Sequence, residues 1–212
     1  WSEWAAGYGG NERVSGAAAL GSHETTSRVY GTTVGASYRL PAGTALGFAL
    51  GGSGSSFGIA DGFGSGKADA FNAGLYGRHV MGPAYVAGAL AYSWQDASTD
   101  RTVAAGGTTD VLHASFRPQA LITRLEGGWR FVTPALGMTP YAGVQTTTLF
   151  MPSFDETARS GTGIFALSND ARRFTTTRAE IGARFDRAVV VADRLLTLKA
   201  KVAWAHDCNN DP

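Results

Sequence analysis

Long hydrophobic runs are missing from this sequence. Its most apolar stretches, Ala84 to Tyr92 and Ala188 to Ala192, fall far short of the ~20 residues that a spanning helix needs. A membrane passage, if there is one, must therefore be made by strands. Cysteine is nearly missing too: Cys208 stands alone, so no internal disulfide can form and cohesion must come from elsewhere. An excess of either charge is also lacking. Lys and Arg number 18 against 17 Asp and Glu, for a net charge of +1, which argues against nucleic acid as a partner. Charged residues are only 17% of the chain, below the ~25% usual for soluble domains. Trp1 opens the chain without a basic start or an apolar core segment, so no signal peptide is expected.

What is abundant is glycine, with 29 of 212 residues, about twice average usage. These glycines sit inside apolar stretches rather than in linkers, which speaks against disorder. The dominant period is two. In Arg28 to Leu40, Tyr30, Thr32, Val34, Ala36 and Tyr38 share one face, while Val29, Gly31, Thr33, Gly35, Ser37 and Arg39 share the other. The two tyrosines are ~26 Å apart along a strand. Tilted by ~40°, that becomes ~20 Å of depth, close to the ~25 Å apolar band between aromatic girdles.

The same alternation recurs from Thr44, from Ala68, from Tyr85, near Ile122, around Arg178 and near Lys199, and more weakly over Trp1 to Tyr8 and Pro140 to Phe150. About nine strands are expected. Short connections (Leu40 to Thr44, Val80 to Ala84, Val132 to Pro140 and the stretch around Ala192-Asp193) alternate with long ones near 10–26, 53–66, 96–110 and 151–172. Short turns at one end and long loops at the other are the asymmetry of outer-membrane barrels.

The polar face is expected to enclose water. Arg124, Glu126 and Arg130 share a face with Gly128, and Arg178, Glu180 and Arg184 share one with Gly182. Opposite charges beside glycines suit a crowded wet interior. The apolar face carries small residues mid-strand and aromatics at its ends, whereas a soluble core would put its largest side chains in the middle. Arg78, Arg124, Glu126, Arg130, Arg178, Glu180, Arg184, Lys199 and Lys201 are therefore expected to line the lumen as a charge network.

At this point the chain resembles the β-domain of type V autotransporters, particularly the alphaproteobacterial group. The residues that carry the resemblance are WSEWAAGYGG at the start, TTSRVYGTTVGASYRL, GPAYVAGALAYSWQDASTDRTV, RLEGGWRFVTPALGMTPYAG and the late VAWAHD. The resemblance implies a single domain over 1–212, an all-β, antiparallel up-and-down transmembrane β-barrel of twelve strands with a helix or linker in its pore. It also implies insertion into outer-membrane lipid with the barrel-assembly machinery, and export of an N-terminal passenger to the cell surface. Such domains usually run on through further strands to a C-terminal aromatic residue. With about nine of twelve strands, the chain is expected to be a fragment of an incomplete barrel that cannot close alone. A porin-like or structural barrel without a passenger is the alternative.

No catalytic or ligand motif holds in full. GFGSGKAD (Gly62 to Asp69) is a faint phosphate loop, but Asp61 stands where glycine is needed and Ala68 where Ser or Thr would bind magnesium, so a flexible surface loop is expected. Asp207, Asn209 and Asp211 open like a calcium loop, yet Pro212 occupies the glycine position. GGSGS (Gly51 to Ser55) is not a nucleophile elbow. His23, His79, His113 and His206 are isolated, without metal-ligand spacing. No enzyme activity, cofactor or metal is expected.

Overall fold

A computed structural model describes residues 1–16, 22–134, 136–191 and 194–209. Among these, apart from two 3-10 turns, every regular element is a strand: β1 (Ser2–Val14), β2 (Thr25–Arg39), β3 (Thr44–Ile59), β4 (Gly64–Met81), β5 (Ala84–Ala105), β6 (Thr108–Phe116), β7 (Gln119–Trp129), β8 (Phe131–Val132), β9 (Gly137–Met151), β10 (Phe154–Asp155), β11 (Thr157–Ser160), β12 (Ser168–Asn169), β13 (Arg172–Val191) and β14 (Arg194–Asn209). Nine of them form one antiparallel meander in the order β1-β2-β3-β4-β5-β7-β9-β13-β14. No ladder joins β1 to β14 among the described residues, so the sheet is an open half-barrel.

Curvature follows from reach. Neighbouring strands lie ~4.8 Å apart, so partners three ladders apart in a flat sheet are separated by ~14 Å. Yet Trp4 on β1 donates its Nε1 proton to the Tyr76 hydroxyl on β4 at 2.7 Å, and Arg184 on β13 reaches the Tyr85 hydroxyl on β5 at 2.6 Å. Both contacts lie on one face, which must be concave. The opposite, convex face carries the apolar alternation, and it is bare: Tyr30 is 65% exposed, Val34 56% and Trp204 65%. Only Tyr85, Leu112, Ala114, Ala120 and Tyr141 are buried hydrophobics among the described residues. The accessible surface is 14110 Å² for 22.1 kDa, where a compact soluble monomer of that mass exposes about 9,300 Å². Such a surface needs hydrocarbon against it.

Two of the expected long loops are in fact strand. Residues 53–66 continue β3 and β4 to a tight turn at Ala60–Gly62, and residues 96–110 continue β5 and open β6. Gly, Ser and Thr there read as loop, but each finds a ladder partner, for example Ser55 with Ala68 and Thr99 with Ala114. Asp61 takes the positive φ of 62° that the turn requires, a conformation Asp tolerates better than bulkier residues. The GFGSGKAD segment thus leaves the turn at Gly62 and is extended β4 from Gly64 on, with Lys67 opposite Ser56 in a ladder, where a flexible loop was expected. β1 likewise runs on to Val14, past the point where a loop was expected to begin. The turn around Ala192-Asp193, and Asp211 and Pro212 of the calcium-like segment, lie outside the described residues.

Candidate functional site

The concave wall has two kinds of surface. Along β1 to β4 it is built from aromatic side chains laid over glycines. Trp4 pairs with Gly35, Tyr8 with Gly31, and Tyr76 with Gly47. A Cβ on Gly35 would stand 2.5 Å from the Trp4 ring, and one on Gly31 would stand 2.5 Å from the Tyr8 hydroxyl. Each ring occupies the space that a side chain on its partner would need. This is the structural use of the glycine excess: it lets flat rings cover the ladder closely.

From β5 to β14 the wall is ionic. Glu126 on β7 accepts two hydrogen bonds from Arg184, 2.7 and 2.8 Å, one from Arg124 at 2.9 Å and one from the Tyr85 hydroxyl at 2.7 Å. Glu180 on β13 is bonded by Lys201 at 2.9 Å, by Arg124 at 3.4 Å and by the Tyr141 hydroxyl. Arg124 therefore joins the two carboxylates into one network. Cations also lie over the tyrosine rings, Arg78 at 4.2 Å from the Tyr85 centroid and Arg184 at 4.0 Å from that of Tyr141. Both carboxylates are about nine-tenths buried, which is tolerable because Glu126 is gripped by the forked Arg184 guanidinium and Glu180 by a lysine, a guanidinium and a hydroxyl together. Among the described residues no buried side-chain nitrogen or oxygen lacks a partner.

Five of the nine charged residues singled out in the sequence thus meet in this cluster: Arg124, Glu126, Glu180, Arg184 and Lys201. Arg78 touches it through the Tyr85 ring. Arg130 and Arg178 stand apart, each with a carboxylate that sequence reading did not select, Asp186 at 2.7 Å and Asp207 at 3.6 Å. Lys199 has no ion pair among the described residues, although it lines the same cavity, of about 430 Å³, as Arg78, Arg130, Arg184 and Lys201. Tyr85 and Tyr141 were missed as well. A signal was available: Tyr85 lies opposite Gly128 and Tyr141 opposite Gly182 in their ladders, the same ring-on-glycine rule that fills the other half.

A second structure caps the long-loop end. The β5–β6 hairpin continues the pairing of β5 with β7 without a shift of register, so Arg101, Asp110, Leu112 and Ala114 keep to the concave side. The segment between β9 and β13 folds onto that side. Its β11 pairs with β6, and Phe154 stacks on Phe116 at 4.2 Å. Arg101 holds Glu156 through its Nε at 3.0 Å, and its Nη2 donates to the Phe165 carbonyl at 3.1 Å. Leu112 and Asp110 are completely buried there. Burial pushes the Asp110 carboxyl up, but the backbone amides of Gly163, Phe165 and Thr162 and the Thr162 hydroxyl outweigh it and hold the group below its ordinary value. The Arg101 guanidinium likewise holds Glu156 low.

No group of three or more metal-capable side chains exists among the described residues, and no helix there is long and apolar enough to cross a membrane. His79 bonds Thr44 at 2.7 Å, His113 bonds Asp100 at 2.9 Å and His23 bonds Asp61 at 3.3 Å, each in a separate place.

Comparison with known proteins agrees with this geometry. The translocator domain of the autotransporter NalP from Neisseria meningitidis superposes with a TM-score of 0.79 at 19% identity, over 98% of this chain and 67% of that one. The β-domain of the Bordetella autotransporter BrkA gives 0.68 at 22% identity, over 98% of this chain and 79% of that one. An extracellular serine protease of Serratia marcescens is 24% identical over 138 residues, which is 65% of this chain but only 13% of that protein. The chain thus spans a small part of that curated relative. The family model for the autotransporter beta-domain matches residues 4–212. The chain belongs to the autotransporter beta-domain family and is an outer-membrane β-barrel protein.

Proposed function

We propose that this chain is the membrane anchor and translocator of a larger protein, which carries an N-terminal passenger to the cell surface through the pore that the concave wall lines. The observation that carries the reading is the reversal of the usual polarity. Large apolar side chains stand bare on the convex face, while paired charges fill the concave one. The wall's part is mechanical and electrostatic, with no catalysis of its own. Lumen-facing Arg78, Arg124, Glu126, Arg130, Arg178, Glu180, Arg184, Lys199 and Lys201 set the charge of the pore and steady what passes through it. Proteolysis belongs to the Serratia relative by its name and does not come across to these residues.

Closure of the barrel requires further strands, about three at the spacing seen here. The reading is supported by the two unpaired edges and by the greater length of both solved relatives. Outer-membrane lipid covers the convex face, and insertion uses the barrel-assembly machinery. The test is expression of the full-length protein with an epitope at its N-terminus in a Gram-negative host. Protease added to intact cells should remove the epitope while a folded, heat-modifiable barrel stays in the outer membrane. An epitope that remains protected behind a folded barrel would overturn the proposal.

A further inference from the structure

We propose that the short-turn half of the concave wall is a cationic vestibule that receives an acidic stretch of the peptide threading the pore. The inference rests on the translocation reading above. Its starting point is the cavity of about 430 Å³ against which Arg78, Arg130, Arg184, Lys199 and Lys201 all lie, with Asp186 as the single carboxylate in its lining. Three of those cations are compensated locally: Arg184 by Glu126, Lys201 by Glu180 and Arg130 by Asp186. Arg78 and Lys199 have no ion pair among the described residues. A neighbouring cavity of about 310 Å³ shares Arg78 and adds Arg39, which has no ion pair among the described residues either.

Three uncompensated cations, from β2, β4 and β14, thus collect where these strands approach their short turns. Short turns mark the periplasmic side. Among the described residues the other end of the concave wall is near balance, with Arg172 on β13 and Glu12 on β1 both lacking an ion pair and offsetting each other in sign. There Arg101 is matched by Glu156, Arg178 by Asp207, and Asp110 by backbone amides. The wall is therefore electrically lopsided, positive at the entry and balanced toward the exit. A concave wall of low dielectric focuses such a field into the water it encloses and concentrates anions there.

The three cations come from separate strands instead of converging on one point, which suits an extended polyanion better than a single phosphate. Arg39 and Arg78 present forked donors that match carboxylates two bonds at a time, and Lys199 adds a mobile point charge. The occupant that fits is a run of Asp or Glu side chains on a peptide entering from the periplasm. Binding there is loose, because each pair is solvated and worth little singly. Weak capture suits a segment that must be held in register yet still move.

The test uses the full-length protein in planar bilayers, in a potassium chloride gradient. Chloride should carry the larger share of current. Hexaglutamate should block from the short-turn side at several-fold lower concentration than from the other side, and hexalysine should block poorly from both. Replacing two unpaired cations, Arg39→Gln with Lys199→Gln, should raise the half-blocking concentration of hexaglutamate several-fold and shift the reversal potential toward potassium. The thermal midpoint of the folded barrel should stay the same. A cation-selective pore, equal block by hexalysine, or block that survives the double substitution would each overturn the vestibule while leaving translocation intact. Chloride selectivity without hexaglutamate block would reduce the feature to a small-anion filter and overturn the peptide site. A full-length protein that forms no pore would remove the translocation reading itself, and the vestibule with it.

Discussion

The two arcs of the concave wall solve one packing problem by different physics. From β1 to β4 the lumen side of each ladder is filled by rings resting on glycines, as Trp4 rests on Gly35 and Tyr8 on Gly31. From β5 to β14 it is filled by carboxylates gripped by guanidinium groups and tyrosine hydroxyls. The first arc depends on close van der Waals contact and tolerates no added atom at its glycines. The second depends on complete pairing and tolerates no missing partner. The difference says where each arc is fragile, and substitutions can separate the two cases.

The largest effect is expected in the ionic arc. Glu126→Leu leaves Arg124, Arg184 and the Tyr85 hydroxyl without their shared acceptor. Stranding a buried charge costs about 3–5 kcal/mol, and the lower figure applies here because the Arg184 side chain is 39% exposed and can hydrate. The full-length barrel should lose heat resistance sharply on semi-native gels. Glu126→Gln, which keeps one acceptor oxygen, should lose distinctly less. Equal losses from the two variants would mean that shape and not charge holds this arc together.

The convex face is common to both arcs and serves as a control on which side is which. Val34 is bare on that face, whereas Ser37 lies on the concave one. Val34→Arg puts a cation into hydrocarbon at a cost of about 2–4 kcal/mol near the midplane. Ser37→Arg points into water and should assemble nearly as well as the parent. The measured quantity is the fraction of full-length protein that reaches the outer membrane in folded form. Equal fractions for the two variants would show the inside-outside assignment to be wrong in both arcs.

Much of this was legible because a strand has a period of two, and the alternation at Tyr30, Thr32, Val34 and at Glu180, Gly182, Arg184 reports its faces directly. The nine strands and the membership of Arg124, Glu126, Glu180, Arg184 and Lys201 on one face follow from that alone. Pairing across the wall was not legible. Arg184 meets Glu126 only because the sheet curls and tilts, and no local pattern reports curl. The partner of Arg130 was hidden for the same reason, since Asp186 lies on β13, across β9; Asp207, by contrast, faces Arg178 directly in the β13–β14 ladder, so the register of that hairpin reports it. The strand extensions at 53–66 and 96–110 were read as loops because Gly and Asp carry little strand propensity, and their ladders form through their partners. The cap at the long-loop end has no period to detect: Asp110 is tied to Thr162 and Phe165 across a long separation.

A smaller effect is expected in the ring-on-glycine arc. At Gly35 an added Cβ would meet the Trp4 ring at 2.5 Å and the Phe48 carbonyl oxygen at 2.6 Å, and the second of these is backbone that cannot swing away. Gly35→Ala should cost about 1–3 kcal/mol through overpacking. At Gly52 the nearest atom to an added Cβ is 4.0 Å away, so Gly52→Ala should change stability by less than about 0.5 kcal/mol. Thermal midpoints of the two variants check the contrast. If Trp4→Ala rescued Gly35→Ala only in part, the remainder would belong to the carbonyl clash and not to the ring.

The smallest effect belongs to the cap that sits above the ionic arc, and it depends on pH. Asp110 is buried and held below its ordinary pKa by backbone amides, so its contribution is full above the value it has when unfolded and is lost as pH falls through the lower, folded value. The segment between β9 and β13 should therefore stay docked at neutral and mildly acidic pH, and loosen only in strong acid, below about pH 4. Asp110→Asn removes one acceptor oxygen and leaves the Thr162 or the Phe165 amide unbonded, a loss of about 1 kcal/mol that falls on the cap and not on the wall. Limited proteolysis of intact cells bearing the full-length protein should cut the variant within residues 152–169 faster than the parent at pH 7, with the membrane-embedded wall equally heat-stable in both. A drop in the wall's own heat resistance would show that the cap braces the ionic arc, which would make the two a single cooperative unit.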